Sequence, residues 1–67
     1  MDKYDVQIRA IRYAIKELKR DLTKAQATRD SEWINDCESH IEALEAAILS
    51  VEAVKALHLA LGHSPNS

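Results

Sequence analysis

The chain has 67 residues, a net charge of −2 and a single cysteine, Cys37. That length allows one small domain, near the lower limit at which a chain buries enough surface to fold alone. Without a disulfide partner inside the chain, such a small protein depends on self-association or on tight helix packing. A lone thiol suits a reducing compartment, and no stretch approaches the ~20 apolar residues that a membrane span needs. We therefore predict a cytoplasmic protein that does not act in a membrane.

Helix-breaking residues are confined to the end of the chain. The one glycine is Gly62 and the one proline is Pro65, while Ala, Leu, Ile, Glu, Lys and Arg dominate before them. These are the residue types that favour helices, and strand-like alternation is hard to find. The composition therefore predicts an all-α chain.

The first helix is predicted over about residues 2–28. Asp2 suits its N-cap, because a short carboxylate accepts a hydrogen bond from the first turn. Large apolar residues then recur at steps of four and three, which is the pattern of a heptad seam. They are Tyr4, Ile8, Ile11, Ile15, Leu18 and Leu22, followed by Ala25.

The second helix is predicted over about residues 31–61, with its own seam. Its members are Ile34, Cys37, Ile41, Leu44, Ile48 and Val51. The nine residues from Ala25 to Ile34 turn this seam about half a turn away from the first, which favours two helices over one. The alternative is one long helix with an eleven-residue repeat, but it would place Gln26 and Arg29 where a core should be. Asp30 or Ser31 can cap a new helix, so we predict an antiparallel hairpin.

Charge is divided between the two halves of the chain. Residues 1–29 have a balance of +4, and residues 30–67 have a balance of −6. A basic and an acidic helix are expected to pair when folded back on each other, although exposed ion pairs contribute only ~0.2–1 kcal/mol each. Charge therefore helps to select which helices pair, but it contributes little to the stability of the hairpin.

The end of the second helix carries more apolar surface than one partner helix can cover. Between Ile48 and Leu61 the apolar positions spread well beyond one seam, which is typical of a helix buried on several sides. We predict that two hairpins associate as a dimeric four-helix bundle. The alternative is a groove or ridge for a different protein. Gly62 is expected to end the helix as a left-handed C-cap, so residues 1–61 would form the domain and residues 62–67 a short disordered tail.

Catalytic and metal-binding arrangements are weak in this sequence. Cys37 and His40 lie three residues apart, beside Asp36, so a thiolate–imidazole pair or a metal site is conceivable. However, Cys37 occupies a seam position, where a small buried thiol is ordinary packing. We predict no enzyme activity, no metal site and no cofactor.

Five basic residues follow one side of the first helix. A row of this kind can bind phosphates, but it is more often a solvated face whose charges partly meet the acidic helix, and the protein is acidic overall. No recognition-helix or RNA-module signature accompanies it. Binding of nucleic acid or of a small phosphorylated ligand through this row is the alternative function. The row consists of Arg9, Arg12, Lys16, Lys19 and Arg20.

Protein interaction is the function that the sequence favours. Trp33 lies in the first turn of the second helix, where an exposed aromatic side chain could anchor a partner or cover the end of the core. We predict a small adaptor, regulator or inhibitor that associates with itself and with a larger protein. The predicted partner-binding residues are Trp33, Glu38, Glu42, Glu45, Leu57 and Leu61.

Overall fold

The structure is a computed structural model that describes residues 2–62. Helix α1 spans Lys3–Thr28 and helix α2 spans Ser31–Gly62. The two helices pack against each other as an antiparallel hairpin, and the described part of the chain has no strand. The predicted all-helical hairpin is therefore confirmed, and the single long helix is wrong.

The first turn of α1 is capped as the sequence predicts. Asp2 has extended backbone angles, and its Oδ1 accepts a hydrogen bond of 2.8 Å from the backbone N–H of Asp5. This bond satisfies one of the N–H groups that have no partner within a helix. Asp5 adds a negative charge in the first turn, where the helix dipole favours it.

The corner between the helices is closed by backbone hydrogen bonds without a glycine. Arg29 takes the left-handed conformation, with φ 56° and ψ 36°. The N–H of Arg29 then donates to the Gln26 carbonyl at 3.2 Å, and the N–H of Asp30 donates to the Ala25 carbonyl at 3.1 Å. This pair of bonds is the Schellman motif, which usually relies on glycine at the left-handed position. Helix α2 begins immediately after the corner, and Asp30 caps it, because Asp30 Oδ1 accepts a hydrogen bond of 3.1 Å from the Trp33 N–H.

The core of the hairpin is small and lies between the two seams. Its most enclosed members are at the corner half, where Ala25 is fully buried and Cys37 is 3% exposed. Small side chains at this point allow the helices to approach closely where the chain turns. Within residues 2–62, the five buried residues all belong to the predicted seams; they are Ile8, Ile15, Ala25, Cys37 and Ile41.

The C-terminal end of α2 differs from the prediction at Gly62. This residue is the last of α2, and its φ is not positive, so it does not form a left-handed cap. The predicted disordered tail otherwise falls on residues 63–67, which lie outside the described residues. Neither α1 nor α2 carries an apolar stretch of the length and hydropathy that crossing a bilayer requires.

Candidate interaction surfaces

The hairpin is one layer thick, so both of its broad sides are open. The Cα atoms extend over 57 × 18 × 8 Å. At the end opposite the corner, which we call the open end, Lys55 Nζ lies 2.6 Å from Asp5 Oδ1 and the Tyr4 and His58 rings are 5.6 Å apart. These pairs fix the register of the antiparallel helices, so that residues whose numbers add up to about 60 lie at the same height.

One side of the hairpin, the charged side, carries the basic row on α1 and an acidic row on α2. The acidic row consists of Glu38, Glu45 and Glu52. A groove of about 310 Å³ opens on it and is lined by residues of both helices, including Arg12, Glu52 and Leu59. Helical spacing continues the basic row along α1, and a second, shallower groove follows Arg12, Lys16, Lys19 and Arg20. The predicted phosphate-binding residues therefore do share one surface.

The two rows do not pair with each other as the sequence suggested. Among residues 2–62, the ion pairs that join α1 to α2 have the reverse polarity, because Lys55 of the acidic helix binds Asp5 at 2.6 Å and Asp2 at 3.5 Å. Within the described part of the chain, Arg20 is the one member of the basic row with an ion-pair partner, which is Glu17 of its own helix at 3.4 Å. The helices therefore pair as predicted, but among residues 2–62 no ion pair provides the expected partial contact between the basic row and the acidic helix. Both rows remain available to bind ions or other molecules.

The opposite side, which we call the apolar side, carries a second heptad stripe on α2. A groove of about 160 Å³ opens here between Gln7 of α1 and Val54 of α2. Steps of three and four from Trp33 trace one continuous stripe along α2, next to the seam that contacts α1. Its members are Trp33, Asp36, His40, Ala43, Ala47, Ser50, Val54, Leu57 and Leu61.

The apolar side changes character from one end of the hairpin to the other. Near the corner its α2 stripe is polar, while at the open end Val54, Leu57 and Leu61 are 51%, 60% and 70% exposed. The flank of α1 that shares this side steps by three and four from Lys3 to Lys24. It is charged at Glu17, Asp21 and Lys24 towards the corner and at Lys3 at the very end, and its other members are small or uncharged. These are Gln7, Ala10 and Ala14. Most of the charge on this side therefore lies towards the corner, with Lys3 as the exception, and uncovered apolar surface lies at the open end.

The predicted partner-binding residues fall into two separate groups. Glu38 and Glu45 flank the charged side, and Glu42 lies farther out beside them, whereas Trp33, Leu57 and Leu61 belong to the apolar side. Trp33 is only 36% exposed, and the helical rise separates it from Leu61 by about 42 Å. The six residues therefore cannot contact one small ligand together.

The chemistry of Cys37 opposes a role as nucleophile. The thiol is buried against α1, and burial raises its pKa. The carboxylates of Asp21, Asp36 and Glu38 raise the pKa further, because they disfavour a nearby thiolate. The thiol is therefore kept in its protonated form at neutral pH. Within residues 2–62, no group of three His, Cys, Asp or Glu side chains is placed to hold a metal ion.

Several residues of the apolar side were missing from the predicted site. Val54, Ala47 and Ala43 connect Trp33 to Leu57 in the α2 stripe, and Ala10 and Ala14 face the same side from α1. The signal that reveals them is the 3–4 spacing that starts at Trp33 rather than at Ile34. Alanines contribute little hydrophobicity to such a stripe, so it is easily overlooked beside the stronger seam.

Comparisons of this chain with protein-family models, curated proteins and solved structures give no match.

Proposed function

We propose that this chain is a non-catalytic protein-interaction module, a small adaptor, regulator or inhibitor that acts through its helix surfaces. Its apolar side binds a protein chain that presents an apolar helical surface. The observation that carries the proposal is the exposure of Val54, Leu57 and Leu61 at the open end, each more than half accessible to water. Contiguous apolar surface of this kind marks interaction sites in proteins.

The geometry supports a helical partner rather than a small molecule. The stripe runs along α2 for eight 3–4 steps, and the groove beside it is shallow, whereas small-molecule sites are concave and enclose their ligand. Alanines in the middle of the stripe let another backbone approach closely. An amphipathic helix laid along such a surface buries its own apolar stripe at the same time.

The test compares two pairs of substitutions that differ in the side they alter. Leu57→Glu/Leu61→Glu places two charges on the apolar side, and the matched control Leu49→Glu/Leu59→Glu changes two exposed leucines outside the stripe. Each tagged variant is used as bait in a lysate that also contains an untagged copy of the chain. Proteins that bind the unmodified chain and the control, but not Leu57→Glu/Leu61→Glu, support the proposal.

Equal retention by all three baits, or no retained protein at all, would contradict it. Circular dichroism of each variant checks that the helices are intact. None of the four leucines is buried, although Leu59, at 48% exposure, is the most enclosed of them and lies beside the groove that Ile8 lines.

A second candidate function is binding of a polyanion by the basic row. It is favoured because Arg9, Arg12, Lys16 and Lys19 have no ion-pair partner among residues 2–62. Fluorescence polarisation with a labelled single-stranded DNA, and competition by ATP, would distinguish a nucleic acid from a small phosphorylated ligand. Affinity should fall steeply with salt and disappear in Arg9→Glu/Arg12→Glu. Lys3→Glu/Lys24→Glu, which makes the same change of charge outside the row, is the control. Binding that ignores salt, or equal loss in both variants, would reject this function.

A further inference from the structure

We propose that the chain bound by the apolar side is a second copy of this protein, docked in parallel so that open end lies on open end and corner on corner. This inference rests on the proposed function, because it names the partner of the same surface. It is carried by the area of the free surface, by the apolar gradient along it and by the position of its few charges.

The exposed area is larger than a compact protein of this mass has. The chain exposes 5230 Å² at a mass of 7.5 kDa, whereas a folded monomer of that mass exposes about 4200 Å². The excess of about 1000 Å² is close to the ~800 Å² that each partner buries in a stable protein–protein interface. Covering one broad side of the hairpin would therefore give the chain the burial of an ordinary folded protein.

The apolar gradient selects the parallel orientation. Two hairpins that meet through their apolar sides can be related by a two-fold axis along the hairpin or across it. With the axis along the hairpin, Val54 and Leu61 of each copy lie over the open end of the other. With the axis across the hairpin, Val54 and Leu61 of each copy instead lie over the corner of the other, which brings Asp36 against apolar side chains. Burying an unpaired carboxylate is costly, so the parallel arrangement is favoured.

The remaining charges also fit the parallel arrangement. A two-fold axis along the hairpin places α1 of one copy against α2 of the other. Each residue keeps its height along the hairpin, so the rule that numbers add up to about 60 also applies between the copies. Lys24 then lies at the height of Asp36 of the second copy, because their numbers add up to 60, and Asp21 lies near the height of His40. Ala10 and Ala14 similarly face Ser50 and Ala47, where small side chains permit close packing. The opposite orientation would instead bring Lys24 towards Lys3.

The parallel dimer leaves the charged side exposed on both outer surfaces. The basic and acidic rows of each copy then face water, and a larger protein or a polyanion could bind there without competing with dimerisation. Two copies could also meet through their charged sides, with basic rows on acidic rows. That arrangement would desolvate many charges for little apolar gain, so we favour the apolar side.

Light scattering of the purified chain over a wide concentration range tests whether a second copy of the chain covers the apolar side. We expect a mass twice 7.5 kDa, reduced to the monomer mass in Leu57→Glu/Leu61→Glu and unchanged in Leu49→Glu/Leu59→Glu. Leu57→Gln/Leu61→Gln, which adds no charge, should weaken the dimer in the same direction. A monomer at every concentration would overturn the inference. If this monomer still retained another protein through Leu57 and Leu61, the proposed function would stand without it.

Double electron–electron resonance, which measures the distance between two spin labels, tests whether the two hairpins dock in parallel. A spin label on Ala60→Cys, at an exposed position near the open end, is introduced into a Cys37→Ala background. Parallel docking predicts a label separation below about 35 Å, from helix spacings of 8–10 Å. Antiparallel docking would separate the labels by roughly 50 Å, close to the 57 Å length of the hairpin. A long distance, or a dimer that only the Leu49→Glu/Leu59→Glu pair disrupts, would overturn the parallel apolar interface.

Discussion

At the corner the hairpin is closed by its own backbone, whereas at the open end it is held by side chains that water reaches. The corner has a left-handed residue, a cap on each helix end and the two most enclosed core residues, Ala25 and Cys37. Beyond Ile41, none of the described residues of α2 is buried. The charged side chains that form ion pairs at the open end, Lys55, Asp2 and Asp5, are all partly exposed.

This difference assigns separate roles to the two ends of the same helix pair. The corner contains what a hairpin needs to form within one chain, because its contacts are local and mostly satisfied. The open end has apolar side chains that α1 cannot cover, since α1 already occupies the neighbouring seam. The corner therefore determines the fold, and the open end supplies most of the surface available for binding.

The largest effect is expected from the core beside the corner. Ile41→Ala should lower the free energy of unfolding by about 2–4 kcal/mol, because it removes a side chain that is only 8% exposed. Leu49→Ala, at a residue that is 68% exposed, should change it by less than about 0.5 kcal/mol. Urea unfolding followed by circular dichroism at one fixed protein concentration measures both. Similar losses in the two variants would show that Ile41 is not packed in the core between the helices.

An intermediate effect is expected at the cap of α2. Asp30→Ala removes the acceptor of the Trp33 N–H and should cost about 1 kcal/mol of stability. Asp30→Asn keeps an acceptor and should retain most of that stability. Thermal unfolding measured by circular dichroism compares the two variants. If Asp30→Asn were as unstable as Asp30→Ala, the charge of Asp30 rather than its hydrogen bond would be responsible.

A smaller effect, of opposite sign, is expected at the left-handed residue. Arg29→Gly should stabilise the hairpin by about 0.5–1 kcal/mol, because the positive φ strains any residue that has a Cβ atom. Gln26→Gly, inside α1, should instead destabilise it by about 1 kcal/mol. The same thermal measurement separates the two substitutions. Destabilisation by Arg29→Gly would mean that the arginine side chain contributes contacts that compensate for the strain.

Much of this architecture could be predicted because it follows from spacing. The seams from Tyr4 to Ala25 and from Ile34 to Val51 predicted both helices and their faces, and the phase change between them predicted the turn. Asp2 was predicted as a cap, and Asp30 was one of two candidate caps beside Ser31, because short polar side chains are strong helix-start signals. These features depend on local chemistry, so the sequence reveals them directly.

The features that were missed depend on geometry that residue type does not determine. Arg29 adopts the left-handed angle because the closing backbone bonds require it, although nothing in an arginine signals it. The basic row was expected to meet the acidic helix, but the register instead places Lys55 against Asp5. The candidate surfaces were only partly recognisable, since which residues share a side becomes clear once the register of α1 on α2 is known.

The smallest effect is expected at the ion pairs of the open end, and it concerns Asp2. Its pKa is lowered from the usual 3.8, chiefly by the hydrogen bond from the Asp5 N–H and to a lesser degree by Lys55. The pKa of Lys55 is raised from its usual 10.5, first of all by its hydrogen bond to Asp5. A lowered carboxyl pKa contributes stability above about pH 4 that is lost as the pH falls through the lowered value. A raised lysine pKa contributes stability below about pH 10 that is lost as the pH rises through the raised value.

Lys55→Met separates these two contributions. Because the Asp5 N–H is the larger cause, the pKa of Asp2 should remain below 3.8 in the variant and move only part of the way back. A carboxyl carbon NMR titration of Asp2 measures this, and Lys24→Met, which alters no ion pair to Asp2, is the control. Full return of the pKa to 3.8 would mean that the capping bond itself is lost without Lys55. The open end would then depend on this lysine to hold the first turn of α1, which makes the contrast with the self-sufficient corner sharper still.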